Sequence, residues 1–268
     1  MFRFTRRIAV FIDGGFYLKR LPKMGLPASF HNTPKAVAKT AYELCKRHVQ
    51  RLVESHFRED GRWLQFAYRF FYYDAWPYDG TAHNPLTNQQ IKYSETPEAK
   101  FRRKLFEELR KTRKFAVRLG HVQKVGGWRM SDHKKLKRLL NLTQFSQLLR
   151  DIADGRKICT ESWSEEKRRC LINLSDEWNS LGEADVTLEL RQKGVDMRLG
   201  MDIASIVLKK QANTLVLVTG DSDFVPVAKL ARREGAEVIL DPMRQNIQPA
   251  LQEHVDDLYS VLGREQVA

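Results

Sequence analysis

An α/β fold with a mainly parallel sheet is predicted by three features of this 268-residue sequence. Short runs of β-branched and other apolar residues alternate with stretches whose apolar positions recur at helical spacing. Several of the runs stop at glycine or aspartate, as strands do when the chain turns into a helix. Residues 213–240 then give an unbroken strand–helix–strand unit. One domain spanning 1–268 is expected, with an insertion at about 126–186.

Residues 7–13, RIAVFID, are an apolar run closed by Gly14 and Gly15, the pattern of a buried strand. Across 33–57, Val37, Ala41, Leu44, Val49, Leu52 and Val53 recur at helical spacing, and Thr33 with Pro34 supplies a start signal. The aromatic-rich 65–75, QFAYRFFYYDA, forms a second strand stopped by WPYDG. Residues 80–97 mix Gly, Asn, Pro and Thr without a period and are expected to be a loop. A basic amphipathic helix follows over 98–114, turning Phe101, Leu105, Phe106 and Leu109 inward, and 115–125 is a third strand. Residues 126–186 are polar, with helix-like patches around Leu136, Leu139, Leu140, Phe145, Leu148 and Leu149, so the insertion is expected to be mostly helical. A short strand over 186–191 precedes a helix over 197–210 with Leu199, Ile203, Ile206 and Val207 as its apolar face. Strand 213–219, helix 225–234 with Gly235 as a left-handed cap, strand 236–240 and a closing helix over 254–262 complete the chain.

Hydrophobic content of 42% and charged content of 29% are ordinary for a globular protein. No run approaches the ~18 apolar residues of a membrane span, and the apolar run near the start is too short for a signal peptide. Cys45, Cys159 and Cys170 show no metal-ligand spacing, and their odd number argues against a disulfide framework, so reduced thiols in a cytoplasmic protein are expected. The net charge of +13 calls for a polyanionic partner. Residues 91–150 hold 17 Lys/Arg against 5 Asp/Glu, so most of the excess lies in one segment. Its runs KFRRK, RKTRK and HKKLKR nominate Arg102, Arg103, Lys104, Lys134 and Lys135 as phosphate contacts, with a solvated helical face as the alternative.

In an open parallel sheet, ligands bind beyond the carboxyl ends of the strands. The expected strands end near Asp13, Asp74, Asp221 and Asp241, and Asp223 follows Asp221 by two residues. Asp196 and Asp202 lie in KGVDMRLGMDIA, around the start of the preceding helix. Asp74, Asp176, Asp185 and Asp241 read as ordinary turn and cap residues, and Asp196 can be read as a helix cap. Asp13, Asp221 and Asp223 differ, because two apolar strands discharge acids at one edge and like charges held together need a cation between them. An all-oxygen set fits Mg²⁺ or Mn²⁺ rather than zinc, and the seven histidines show no zinc spacing near these acids. Acids with a divalent ion, beside a basic surface, point to hydrolysis of nucleic-acid phosphodiesters.

AVFIDGG, YYDA, KGVDMRLGMDIA and LVLVTGDSDFVPVAKLARREGAEVIL together resemble the NYN domain, in the LabA-like branch of the PIN-like nuclease superfamily. The resemblance implies a Rossmann-like three-layer sandwich with strand order 3-2-1-4-5 and a metal-dependent ribonuclease site. It implies Asp13, Asp202, Asp221 and Asp223 as residues holding Mg²⁺ or Mn²⁺, Asp196 as a ligand or orienter, and Thr219 and Ser222 as groups that position the acids. Lys193 and Arg198 adjoin the acids in sequence and are candidate phosphate contacts. Many relatives carry Asn shortly after DG, where this chain has Phe16.

The expected activity is therefore that of a Mg²⁺/Mn²⁺-dependent endoribonuclease acting on RNA, with water rather than a serine or histidine as nucleophile. The alternative is an RNA-binding or adaptor protein with a weakened site, and a homo-oligomer is left open. A phosphatase of the haloacid-dehalogenase type needs a second aspartate two residues after the first, where this chain has Gly15.

Overall fold

The first strand, β1 (Ile8–Asp13), is apolar on both faces and so requires cover on both. Ile8, Val10 and Ile12 enter one core, and Ala9 and Phe11 enter another. The computed structural model describes residues 6–53, 62–140, 145–157, 161 and 163–263. After β1 come α1 (Gly14–Arg20), α2 (Pro34–Leu52), β2 (Ala67–Trp76), β3 (Thr81–His83), β4 (Gln90–Lys92), α3 (Pro97–Lys111) and β5 (Phe115–Met130). Then follow α4 (His133–Leu140), α5 (Ser146–Ala153), α6 (Glu165–Asn179), β6 (Val186–Lys193) and α7 (Val195–Leu208). The chain continues through β7 (Thr214–Val218), α8 (Val225–Arg233), β8 (Glu237–Asp241), α9 (Pro249–Gln252) and β9 (Asp257–Leu258).

These elements divide into two compact units, Met1–Asp79 with Tyr93–Gln123 and Gln192–Ala268, and Gly80–Lys92 with Lys124–Arg191. The sheet has the order β6-β5-β2-β1-β7-β8-β9. From β5 to β9 each neighbouring pair is parallel. Its central five strands, β5-β2-β1-β7-β8, realise the expected order 3-2-1-4-5. Tyr17, Leu44 and Leu105, from α1, α2 and α3, close the first core, and Leu199, Ile203, Ala228 and Ala231, from α7 and α8, close the second. The result is a three-layer α/β sandwich.

Local chemistry starts the helices where the sequence predicts. Thr33 Oγ1 accepts from Ala36 N at 3.1 Å ahead of Pro34, and Thr96 Oγ1 accepts from Ala99 N at 3.3 Å ahead of Pro97. Gly235 takes φ 83° after α8. Gly14 is required for a different reason: a Cβ there would lie 2.6 Å from both Tyr72 Cε1 and Tyr73 O. Gly14→Ala is expected to cost about 2–3 kcal/mol through overpacking. Urea unfolding would show this as a lower midpoint at an unchanged m-value.

Four expectations change. Residues 80–97 are not a plain loop, because Thr81–His83 and Gln90–Lys92 pair antiparallel around Asn84, whose Oδ1 accepts from Leu86 N at 2.9 Å. Three-residue strands with one apolar position each are too short to show a period. The first long helix stops at Leu52 rather than running to 57, with Val53 extended and 54–57 outside the described residues. The third strand runs five residues further than expected, to Met130. No helix covers 254–262; instead β9 adds to β8, and Asp256 accepts from Val238 N at 2.8 Å. The open edge of β8 captures backbone that would otherwise coil.

The second unit has its own small core of Leu139, Phe145 and Leu174. Three of its basic residues are answered internally. Lys135 pairs with Asp185 at 2.9 Å, Arg138 with Glu177 at 2.8 Å and Arg129 with Glu189 at 3.7 Å. Among the described residues no helix is long and apolar enough to cross a membrane.

Candidate active site

β1 delivers Asp13 to the carboxyl edge of the sheet, where it also begins α1: its Oδ1 accepts from Phe16 N at 3.1 Å. Ile12 pairs with Val218 of β7, so Asp13, the last residue of β1, and Thr219, just past β7, come next to each other. Thr219, buried, donates from Oγ1 to Asp13 Oδ2 at 3.4 Å. The same Oγ1 accepts from Asp221 N at 3.2 Å. Asp221 Oδ1 in turn accepts from Asp223 N at 2.9 Å and caps the single turn Ser222–Phe224. One hydroxyl therefore joins the Asp13 carboxylate to the Asp221 backbone. Ser222 lies within that turn.

The field at this edge is strongly negative. Burial pushes the Asp13 carboxyl up from 3.8 to about 6; the Phe16 N–H opposes that, and Asp196, Asp74 and Asp221 add to it. Asp196 follows Gly194, the left-handed cap of α7, and occupies the first turn of that helix. Its carboxyl is raised by burial and then by Asp221 and Asp223. Acids from β1, α7 and the segment after β7 are thus within electrostatic reach of one another, with Asp74, near the end of β2, also acting on Asp13. Perturbed carboxyls gathered at a strand edge make this edge the candidate site.

Asp202 is not among them. It is six residues past Asp196, which turns it about 120° around the helix and carries it about 9 Å along the axis. Its Oδ2 accepts from Tyr73 Oη at 2.9 Å and from Arg118 Nε at 3.1 Å. Asp74, expected to be an ordinary turn residue, is instead fully buried and electrostatically coupled to Asp13. Arg102 Nη1 meets Asp74 Oδ1 at 2.6 Å, with Ala75 N at 2.8 Å and Gln192 Nε2 at 3.3 Å. Asp241 fits the structural expectation, bonded to buried His48 at 2.8 Å and to Met243 N at 2.8 Å. Phe16 closes the rim: a Cβ on Gly220 would lie 2.8 Å from Phe16 Cε2 and 3.0 Å from Gln245 Nε2. No sequence signal marked Gln192 or Gln245.

The basic candidates separate. Lys193, Arg198, Lys104 and Lys134 are exposed. Arg102 is held by Asp74 and Glu98, Arg103 donates to Ser94 O at 2.8 Å, and Lys135 is held by Asp185. The surplus of residues 91–150 is thus partly spent inside the protein.

Among the described residues, no three His, Cys, Asp or Glu side chains are grouped to hold a metal ion. The expected quartet of Asp13, Asp202, Asp221 and Asp223 is therefore not a preformed ligand shell among the described residues. The remaining acids fit a hard cation that keeps its own water, since Mg²⁺ is held by one or two carboxylates and retains several waters. Asp13 and Asp221, linked through the Thr219 hydroxyl and the Asp221 backbone N–H, are the pair this would use.

A crystal structure of a Vibrio parahaemolyticus protein of unknown function aligns at TM-score 0.39 and 11% identity, over 96% of this chain and 94% of that one. A search of curated proteins returns no match. The NYN domain family matches residues 89–262, a stretch that holds Asp196, Asp202, Asp221 and Asp223 and begins after Asp13 and Asp74. This chain belongs to the NYN domain family.

Proposed function

We propose that the protein is a divalent-metal-dependent ribonuclease, with its site at the carboxyl edge formed by Asp13, Asp196, Asp221 and Asp223. One observation carries the proposal: Asp13, at the end of β1, and Asp221, three residues past the adjacent β7, are tied through Thr219, while burial and then neighbouring acids raise the Asp13 carboxyl. Folding alone gives no reason to collect those charges, and a bound cation does. Asp13 and Asp221 would hold Mg²⁺ or Mn²⁺, with Asp196 and Asp223 close enough electrostatically to bind through water. When bound, the ion supplies Lewis-acid stabilisation of phosphate charge and a more acidic water. Thr219 fixes the Asp13 carboxylate and the Asp221 backbone with one hydroxyl, and the Asp223 N–H fixes Asp221 Oδ1. Lys193 and Arg198, exposed at the two ends of the Gly194 turn, would hold flanking phosphates. In the reaction, water oxygen bonds to phosphorus as the ester P–O bond breaks, and the departing oxygen takes a proton.

Incubating the protein and Asp221→Asn with labelled RNAs in Mn²⁺ tests this. Metal-dependent cleavage by the parent, reduced at least about 100-fold in the variant, is expected. Intact RNA in every parent reaction, or equal cleavage by the variant, would overturn it. The lack of a three-ligand group among the described residues favours one second reading, an RNA-binding protein without turnover. That reading predicts salt-dependent binding that survives the loss of Asp13 and Asp221, with no cleavage.

A further inference from the structure

The amino edge of the sheet, opposite the acids, is basic at every one of the five central strands. Arg113 and Lys114 precede β5, Arg69 lies near the start of β2, and Arg6 and Arg7 precede β1. Lys209 and Lys210 precede β7, and Arg232 and Arg233 end α8 just before β8. With the order β5-β2-β1-β7-β8, these residues form a row across four strand spacings, about 19 Å.

Two members are neutralised, Arg6 by Glu237 at 2.7 Å and Arg232 by Asp256 at 2.9 Å. Arg69, Arg113, Lys209, Lys210 and Arg233 are exposed and make no ion pair among the described residues. Lys114 shows how crowded the row is. Its Nζ donates to Ala67 O at 2.9 Å, and burial, then Arg113, Arg69 and Arg7, lower its affinity for a proton. Arg7 lies over the ring of Tyr68 at 5.3 Å. Beside β1, β7 and β8 the edge opens into a groove of about 1250 Å³ whose walls include Arg7, Lys210 and Arg233; its acids are Glu234, with Glu237 and Asp256, the partners of Arg6 and Arg232.

We propose that this amino-edge belt is a second nucleic-acid site, which takes the phosphate backbone of one strand across the sheet. Repelling cations kept together with few acids are matched by a polyanion, as the acids of the opposite edge are matched by a cation. The belt is mostly arginine, whose planar fork suits phosphate oxygens. A linear row with a groove and an aromatic ring at its centre suits an extended strand better than a flat lipid surface. The belt takes no part in bond cleavage, so it stands whether or not the carboxyl-edge site turns over.

The test is fluorescence anisotropy with a labelled single-stranded RNA of about 20 nucleotides, in EDTA so that cleavage plays no part, across a salt series. The full chain is compared with Arg69→Gln/Arg113→Gln/Lys210→Gln and with Lys193→Gln/Arg198→Gln at the other edge. The triple variant is expected to lose about 10-fold or more in affinity, and its slope of log K against log salt to fall by about 2, at 0.7 per lost phosphate contact. Photocrosslinking of thiouridine-substituted RNA to Tyr68 should persist in the carboxyl-edge variant and vanish in the triple variant. Parent-like affinity and slope in the triple variant, with parent-like thermal stability, would overturn the proposal. So would a result in which the three charges govern binding to phosphatidylserine vesicles and leave RNA binding unchanged.

Discussion

Asp13→Asn is expected to abolish RNA cleavage and at the same time raise the melting temperature at neutral pH. The amide retains the cap, since Asn caps a helix as well as Asp and its Oδ1 still accepts from Phe16 N, while its NH2 takes the place of Oδ2 and donates to Thr219 Oγ1, whose own hydrogen turns away. What it removes is the charge. In the folded protein the Asp13 carboxyl holds its proton up to about pH 6, against an ordinary value of 3.8. Between those values the folded state keeps a proton that the unfolded state has released, so this group's contribution to stability falls as pH rises through the window and is lowest above it. Two pH units would correspond to at most about 3 kcal/mol, and water around a half-buried carboxylate reduces this to about 1–2 kcal/mol. The expected rise in Tm is then about 3–5 °C. Thermal unfolding at about pH 4 and at about pH 7.5 should show the gap between variant and parent opening with pH. Mn²⁺ should close it by stabilising only the parent. A variant less stable than the parent at every pH would make Asp13 a cap and nothing more, and would remove the basis of the site.

Much of this edge was legible because strand ends are written locally. RIAVFID and LVLVTGDSD each carry their burial and their acids within a few residues, and parallel topology then places those acids together. Asp74 carries the same strand-end signature, yet what lifts it above an ordinary turn is Arg102, 28 residues away on α3, and no local pattern announces such a pair. The pairing of Asp202 with Tyr73 and Arg118 was not legible either, since those partners lie on strands 129 and 84 residues away in the chain. Nor were the short hairpin and β9, because two- and three-residue strands exist only through the partners that accept their hydrogen bonds. Phe16 keeps its N–H on Asp13 while its ring covers Gly220, so the departure at this position changes the rim and leaves the acid string intact.

Arg102→Met is expected to behave as a folding variant rather than a binding one. Asp74 is fully buried, its Oδ1 meets the guanidinium at 2.6 Å, and its Oδ2 is buried without a hydrogen-bond partner. Removing Arg102 leaves that carboxylate unpaired in the interior, at a cost of about 3 kcal/mol. Burial already raises the Asp74 carboxyl, with Arg102 pulling it back down, so the variant's Asp74 will be raised further. A raised carboxyl favours the folded state at low pH and penalises it as pH climbs, so the deficit should be largest at alkaline pH and shrink on acidification. Adding Asp74→Asn to the same chain should recover most of the loss, and the double-mutant cycle of urea midpoints measures the coupling. If Arg102→Met instead kept the parent's midpoint and lost RNA affinity, the guanidinium would belong to the nucleic-acid surface after all. The contrast with the amino edge is what makes the outcome informative. A run such as KFRRK counts as charge wherever it lies, but only cations that find no acid inside the fold contribute to the field a polyanion meets. Arg102 has such an acid in Asp74, whereas Arg69 and Arg113 make no ion pair among the described residues.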